Sequence, residues 1–108
     1  MGGTMKISNA FSAGMLACPV STVRFAEITR DEAVKRFATG VESAVGHTDT
    51  AALFSALLGM EVPVNRVSLS LPPGEEIIIG QYTGPRLPEG ATTLPEGAAV
   101  RWLHAVVS

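Results

Sequence analysis

The apolar positions of this chain change period several times along its length. Over Ala99–Val107 they alternate, with Val100, Trp102 and Val106 on one face, which is the two-residue period of a strand. Over Thr48–Leu58 the period lengthens. Leu53 with Leu57, and Phe54 with Leu58, stand four apart as on one face of a helix, and Gly59 supplies a left-handed stop. Residues 5–9 and 20–28 read as two earlier strands, with 10–19 a loop or short helical turn between them. Thr29-Arg30-Asp31-Glu32 then has the spacing of a capping box, and the helix it opens runs to about Thr39 and closes at Gly40. Residues 42–45 fit a short strand. Further on, 66–71 alternates, Pro72-Pro73-Gly74-Glu75 turns, and 76–82 returns, which predicts a β-hairpin.

No internal repeat, low-complexity tract or linker interrupts this order. The expectation is one small α/β domain over residues 5–108, a mixed sheet of five or six strands flanked by two principal helices. Residues 1–4 read as a flexible leader, or as an alternative start before Met5.

At 108 residues and 46% hydrophobic, one core is the natural outcome. The apolar runs, such as 51–58 and 77–79, fall far short of a membrane span, and no basic segment followed by an apolar core opens the chain. With Cys18 the single cysteine, an internal disulfide and a multi-cysteine metal site are both excluded. These features predict a soluble protein of the cytoplasm with no membrane partner. Cys18 itself is read as a small apolar side chain. The net charge of −2 and a pI of about 5.6 withhold the basic footprint that binding to long nucleic acid requires. Yet six of the eight basic residues are arginine, whose planar fork pairs with phosphate oxygens. A small anionic ligand suits that bias better than a polymer.

One junction draws attention. Ser43-Ala44-Val45-Gly46-His47-Thr48-Asp49-Thr50 takes the chain from strand to helix, and a helix N-terminus presents unpaired N–H groups and partial positive charge to an anion. No HxxxH, CxxC or paired-carboxylate spacing accompanies His47 or His104, no G-x-S-x-G elbow or Walker loop is present, and neither a metal nor another cofactor is expected. His104 reads as a strand residue, partly buried or exposed. The remaining polar residues near strand ends are Asn9, Ser12, Asn65, Arg66, Gln81, Arg86 and Glu89. Each also has a plain reading, as a turn residue, a solvent-facing strand position or a surface charge.

Taken in order, Ser8-Asn9-Ala10-Phe11-Ser12 with Gly14-Met15-Leu16, Ala44-Val45-Gly46-His47, Leu58-Gly59, Val64-Asn65-Arg66-Val67 and Arg86-Leu87-Pro88-Glu89-Gly90 resembles a known family. The chain is similar to the viral anti-CRISPR ring nucleases that degrade cyclic tetra-adenylate and to their cellular homologues, first met as proteins of unknown function in archaeal viruses. No single piece is specific; the ordered set is, and it spans nearly the whole chain. Tyr82-Thr83-Gly84-Pro85 is longer than the family pattern by a residue, which bears on the pose of Arg86. Asp49 lies in variable territory and would bring a carboxylate close to bound phosphate.

The resemblance implies a ligand of four adenylates in a ring, made by type III CRISPR polymerase subunits. Such a ring carries its own nucleophile, since a ribose 2′-OH can attack the adjacent phosphorus in line and leave a 2′,3′-cyclic phosphate. In that setting His47 is the candidate acid for the departing 5′-oxygen. Arg86 is the candidate for stabilising the crowded phosphorane. Glu89 either orients Arg86 or takes the 2′-OH proton; both roles stay open. Asn9, Ser12, Arg66 and Gln81 become substrate contacts, and the Gly- and Pro-rich segment 83–94 a lid. One histidine per chain against a ring of four phosphates implies a homodimer whose axis meets the axis of the ring. Two rival readings stand beside this one. In one the same fold is a non-catalytic nucleotide or nucleic-acid binding module; in the other it is a structural protein in which His47 simply caps a helix.

Overall fold

The computed structural model describes residues 5–38, 40–88 and 91–108. Among them, five strands make one mixed sheet: β1 (Met5–Ser8), β2 (Val23–Ile28), β3 (Val41–Ser43), β4 (Glu76–Thr83) and β5 (Ala99–Val107), in the order β2-β5-β4-β1-β3. β1 pairs in parallel with both β3 and β4, and β5 lies antiparallel to both β4 and β2. Only β5 therefore runs against the other four. Two helices, α1 (Arg30–Arg36) and α2 (Thr48–Leu58), complete the described elements, together with a single 3-10 turn at Ala13–Met15.

Local chemistry accounts for the helix ends. The Thr29 hydroxyl accepts from the Glu32 N–H at 3.1 Å, the hydroxyl half of the predicted capping box. Asp31 and Glu32 in the first turn of α1, with Lys35 and Arg36 in its last, complement the helix dipole. Gly59 ends α2 at φ 69°, as the four-residue period anticipated. α1 ends at Arg36 with Phe37 as its C-cap, short of the predicted Thr39, which itself lies outside the described residues, and Gly40 at φ 119° closes the turn that follows through its N–H to the Phe37 carbonyl at 2.9 Å.

The two faces of the sheet are covered differently. Both helices pack on one face, where Ala33, Phe37, Ala51, Phe54 and Leu58 meet Ile7, Ile78 and Trp102. On the other face no helix packs among the described residues. There Ile77, Ile79, Ala105 and Val107 are covered by Leu71 together with Met15 from the 3-10 turn and Phe11, Leu16 and Leu69 from loops. This explains why β4 reads Ile77-Ile78-Ile79 rather than alternating: a strand buried on both faces is apolar throughout.

The predicted hairpin does not form. Residues 66–71 are not a strand, because both edges of β4 are already occupied, by β1 on one side and β5 on the other. The segment crosses the loop-covered face instead, tied by the Leu71 N–H to the Met15 carbonyl at 2.6 Å. Its turn is real all the same. Gly74 adopts φ 95°, and Pro72-Pro73-Gly74-Glu75 leads the chain into antiparallel register with β5. The second strand also starts later than expected, at Val23, with Val20 left 88% exposed. β3 ends at Ser43, two residues before the predicted Val45.

Gly80 in β4 allows the helix layer to approach the sheet. A Cβ there would lie 2.6 Å from Phe54 Cζ and 2.7 Å from Trp102 Cζ3, inside a tilted ring pair with centroids 5.1 Å apart. Both rings are buried and have nowhere to go. Gly80→Ala is expected to cost about 1–3 kcal/mol by overpacking, read as a lower urea midpoint at unchanged slope. No described helix is long and apolar enough to cross a membrane.

Candidate functional site

Because β1, β3 and β4 run parallel, their carboxyl ends share one edge of the sheet. The segments that leave those ends carry Asn9 and Ser12, then His47, then Arg86. In sheets with parallel strands, ligands bind in the crevice outside the carboxyl ends. Asn9, Ser12, His47 and Arg86 thus leave the sheet by the same edge, although they are scattered through the chain.

The link from β3 to α2 is tied down residue by residue. Ala44 N–H donates to the Ile7 carbonyl at 2.8 Å, and Val45 N–H donates to Ser43 Oγ at 3.2 Å. Val45 is fully buried, and Gly46 follows it toward the surface. His47 is then the N-cap of α2, with extended backbone at φ −123° and ψ 130°. Its carbonyl accepts the first helical bond, from Ala51 N–H at 2.9 Å. Its side chain makes no capping bond, and it is exposed. N-caps are usually Ser, Thr, Asp or Asn because a short side-chain oxygen satisfies an orphan amide. The His47 imidazole thus contributes no capping bond to α2.

Arg66 reaches the same junction by a longer route. After Gly59 the chain is clipped by Val62 N–H donating to Ser55 Oγ at 2.8 Å, with Val62 buried. Asn65 then fastens it to the junction, its N–H donating to the Val45 carbonyl and its Nδ2 to the Ser43 carbonyl, both at 2.8 Å. Arg66 consequently lies across Gly46, where a Cβ would come within 3.7 Å of its Cγ and 3.8 Å of its Nε. Asn65, read from sequence as a turn residue, is the fastener that delivers this arginine.

Beside the junction is an open cavity of about 350 Å³ lined by His47, Asp49, Thr50, Tyr82, Gly84, Pro85, Arg86 and Leu87. His47 and Arg86 therefore share a space, one from the start of α2 and the other from the segment after β4. Asp49 also faces it, as the sequence suggested. Sequence reasoning did not single out Tyr82 or Thr50. Thr50 lies one turn into a helix whose opening had been identified, so its place followed from α2. Tyr82 gave a weaker signal, as the chain's one tyrosine at the end of a strand.

The other predicted residues lie around this cavity rather than in it. Ser12 lines a second groove of about 330 Å³ with Gly14, Met15, Val67, Ser68 and Leu69, on the loop-covered side. Val67 is in that groove, while Arg66 lies on Gly46, the residue before His47. Asn9 is half-buried in the turn after β1, where Ser8 Oγ accepts from Ala10 N–H at 3.3 Å. Gln81 is exposed and pairs in register with Arg101. Adjacent strand residues face opposite ways, so Gln81 points away from the cavity that Tyr82 lines. Glu89 lies outside the described residues, as do residues 1–4. His104 sits within β5 between Ala26 and Ile78, its Nε2 2.6 Å from Glu76 Oε1, partly buried as expected of a strand residue. No group of three or more His, Cys, Asp or Glu is gathered for a metal among the described residues.

Comparison with known proteins bears on the fold and the family. No curated protein matches the sequence. Among solved structures, B116 of Sulfolobus turreted icosahedral virus superposes with a TM-score of 0.80 at 22% identity, covering 96% of this chain and 99% of that one. Its fold is thus shared from end to end. The family model described as STIV B116-like matches residues 5–98, taking in every parallel strand and all the segments that carry the candidate site, and the chain belongs to that family.

Proposed function

We propose that this protein is a metal-independent ring nuclease that opens cyclic tetra-adenylate into linear diadenylates ending in 2′,3′-cyclic phosphate. The observation that carries the reading is the meeting of His47 and Arg86 on one open cavity at the carboxyl edge of the parallel strands, with Arg66 beside it over Gly46. A free imidazole and two guanidiniums at a helix N-terminus suit a phosphodiester whose nucleophile is its own ribose.

In the proposed reaction the 2′-oxygen attacks phosphorus, the bond from phosphorus to the 5′-oxygen breaks, and the 2′-OH proton leaves to a base or to solvent. His47 donates the proton that the departing 5′-oxygen takes up. Arg86 grips the non-bridging oxygens as charge builds on them, and Arg66 holds a neighbouring phosphate. Glu89 acts by orienting Arg86 or as the base. Asn9 contacts the ring at the same edge. Ser12 and Gln81, placed outside the cavity, meet the ring only where it extends over the sheet edge or reaches a second protomer. A homodimer with its axis on that of the ring sets one His47 against each of two opposite bonds.

The test is incubation of the purified protein with cyclic tetra-adenylate in EDTA. Linear diadenylate with a cyclic phosphate end is the expected product, and a ring with 2′-deoxyribose at the cleaved positions is expected to survive. An intact ring held tightly would overturn the nuclease in favour of a binding module. An intact ring left unbound would leave a structural protein.

A further inference from the structure

We infer that Tyr82 is a positioning residue for Arg86, fixing the turn from which the guanidinium enters the cavity; the inference rests on the nuclease reading above. Its phenol hydroxyl donates to the carbonyl of Pro85, the residue immediately before Arg86. Its ring lines the same cavity as His47 and Arg86. The single tyrosine of the chain therefore joins the wall of the cavity to the backbone that delivers the arginine.

The turn between them has little freedom. Gly84 adopts φ 143°, and a Cβ at that position would lie 2.7 Å from Ala98 Cβ and 3.2 Å from the Tyr82 hydroxyl oxygen. Only a glycine lets the chain curl this closely around the phenol and against Ala98. Pro85 next fixes its own φ and offers no N–H that would compete for a partner. Arg86 is exposed, and among the described residues no ion pair or hydrogen bond holds its guanidinium. The hydrogen bond from Tyr82 is thus what sets the backbone from which this long side chain starts. A guanidinium that must meet developing charge is sensitive to such placement, since a shift of about 1 Å costs up to roughly 10²-fold in rate.

The decisive measurement is a double-mutant cycle on single-turnover opening of cyclic tetra-adenylate, with the dissociation constant of the ring measured in parallel. Tyr82→Phe keeps the ring of the side chain and removes only the hydroxyl. It is expected to slow opening by about 10-fold to 10²-fold, with a smaller change in ring affinity, and to have no further effect in an Arg86→Ala background. Gly84→Ala, which disturbs the same turn from its other side, is expected to slow opening by a similar factor. Thermal midpoints of all variants separate these effects from loss of fold. Opening by Tyr82→Phe at the wild-type rate, or an equal fall in both backgrounds, overturns the positioning role while leaving the nuclease reading intact. If the wild-type protein binds the ring without opening it, the nuclease reading falls and the cycle is read in the dissociation constants. Coupling between Tyr82 and Arg86 there supports the positioning role, and its absence overturns it. A protein that neither binds nor opens the ring overturns both.

Discussion

His47→Ala is expected to slow single-turnover opening of cyclic tetra-adenylate by about 10²–10⁴-fold, the range a positioned general acid contributes. The fold should scarcely notice. His47 is exposed and its ring caps nothing, so the change in stability is expected to stay within about 0.5 kcal/mol. His47→Asn sharpens the separation, because it supplies the capping oxygen that histidine lacks and cannot donate a proton as an acid. That variant is expected to be at least as stable as the wild type and as slow as the alanine. Rate measurements beside urea melts check both halves, and an alanine variant that opens the ring at the wild-type rate removes His47 from the chemistry.

The second large effect concerns stability. Phe54→Ala is expected to destabilise the domain by about 3–5 kcal/mol, through lost burial and the cavity left behind. Phe54 is fully buried on α2, packs against Trp102 of β5, and fills the space opened by Gly80. Calorimetry checks this, since each kcal/mol moves the midpoint by roughly 4–8 °C in a domain of this size. The loss also reaches the site. α2 is the element whose first residue follows His47, and Phe54 helps to hold that helix to the sheet. A large remaining stability after Phe54→Ala would show that α2 is anchored elsewhere, with Leu53 the next candidate.

Much of this architecture is decided within a few residues of chain. α2 begins and ends where the four-residue period and Gly59 say it should, and β5 spans the stretch of alternation that Trp102 and Val106 mark. Thr29 caps α1 as its spacing to Glu32 requires. Each of these features depends on neighbours one turn or one strand residue away, so a local pattern carries the information. The predicted junction at Gly46-His47 belongs to this class only in part: a glycine and a residue before the helix mark it in the sequence, while its path is held by the distant Ile7 carbonyl and Asn65.

Other features depend on contacts far apart in sequence. Alternation over 66–71 is real, but alternation names a pleated surface without naming its partner, and β1 and β5 had taken both edges of β4. The same limit applies to the site. Asn65 looks like any turn residue until its side-chain amide meets the Ser43 carbonyl and its backbone N–H the Val45 carbonyl, and those two bonds bring Arg66 onto Gly46. Tyr82 and Gln81 are adjacent letters, yet sheet pleating turns one toward His47 and the other away. Periodicity, caps and glycine stops settle which elements exist, because their energetics are local. Tertiary packing alone decides which strands pair, which face the helices cover, and that His47, Arg66 and Arg86 share one edge, because those choices rest on burying surfaces that no short stretch of chain contains.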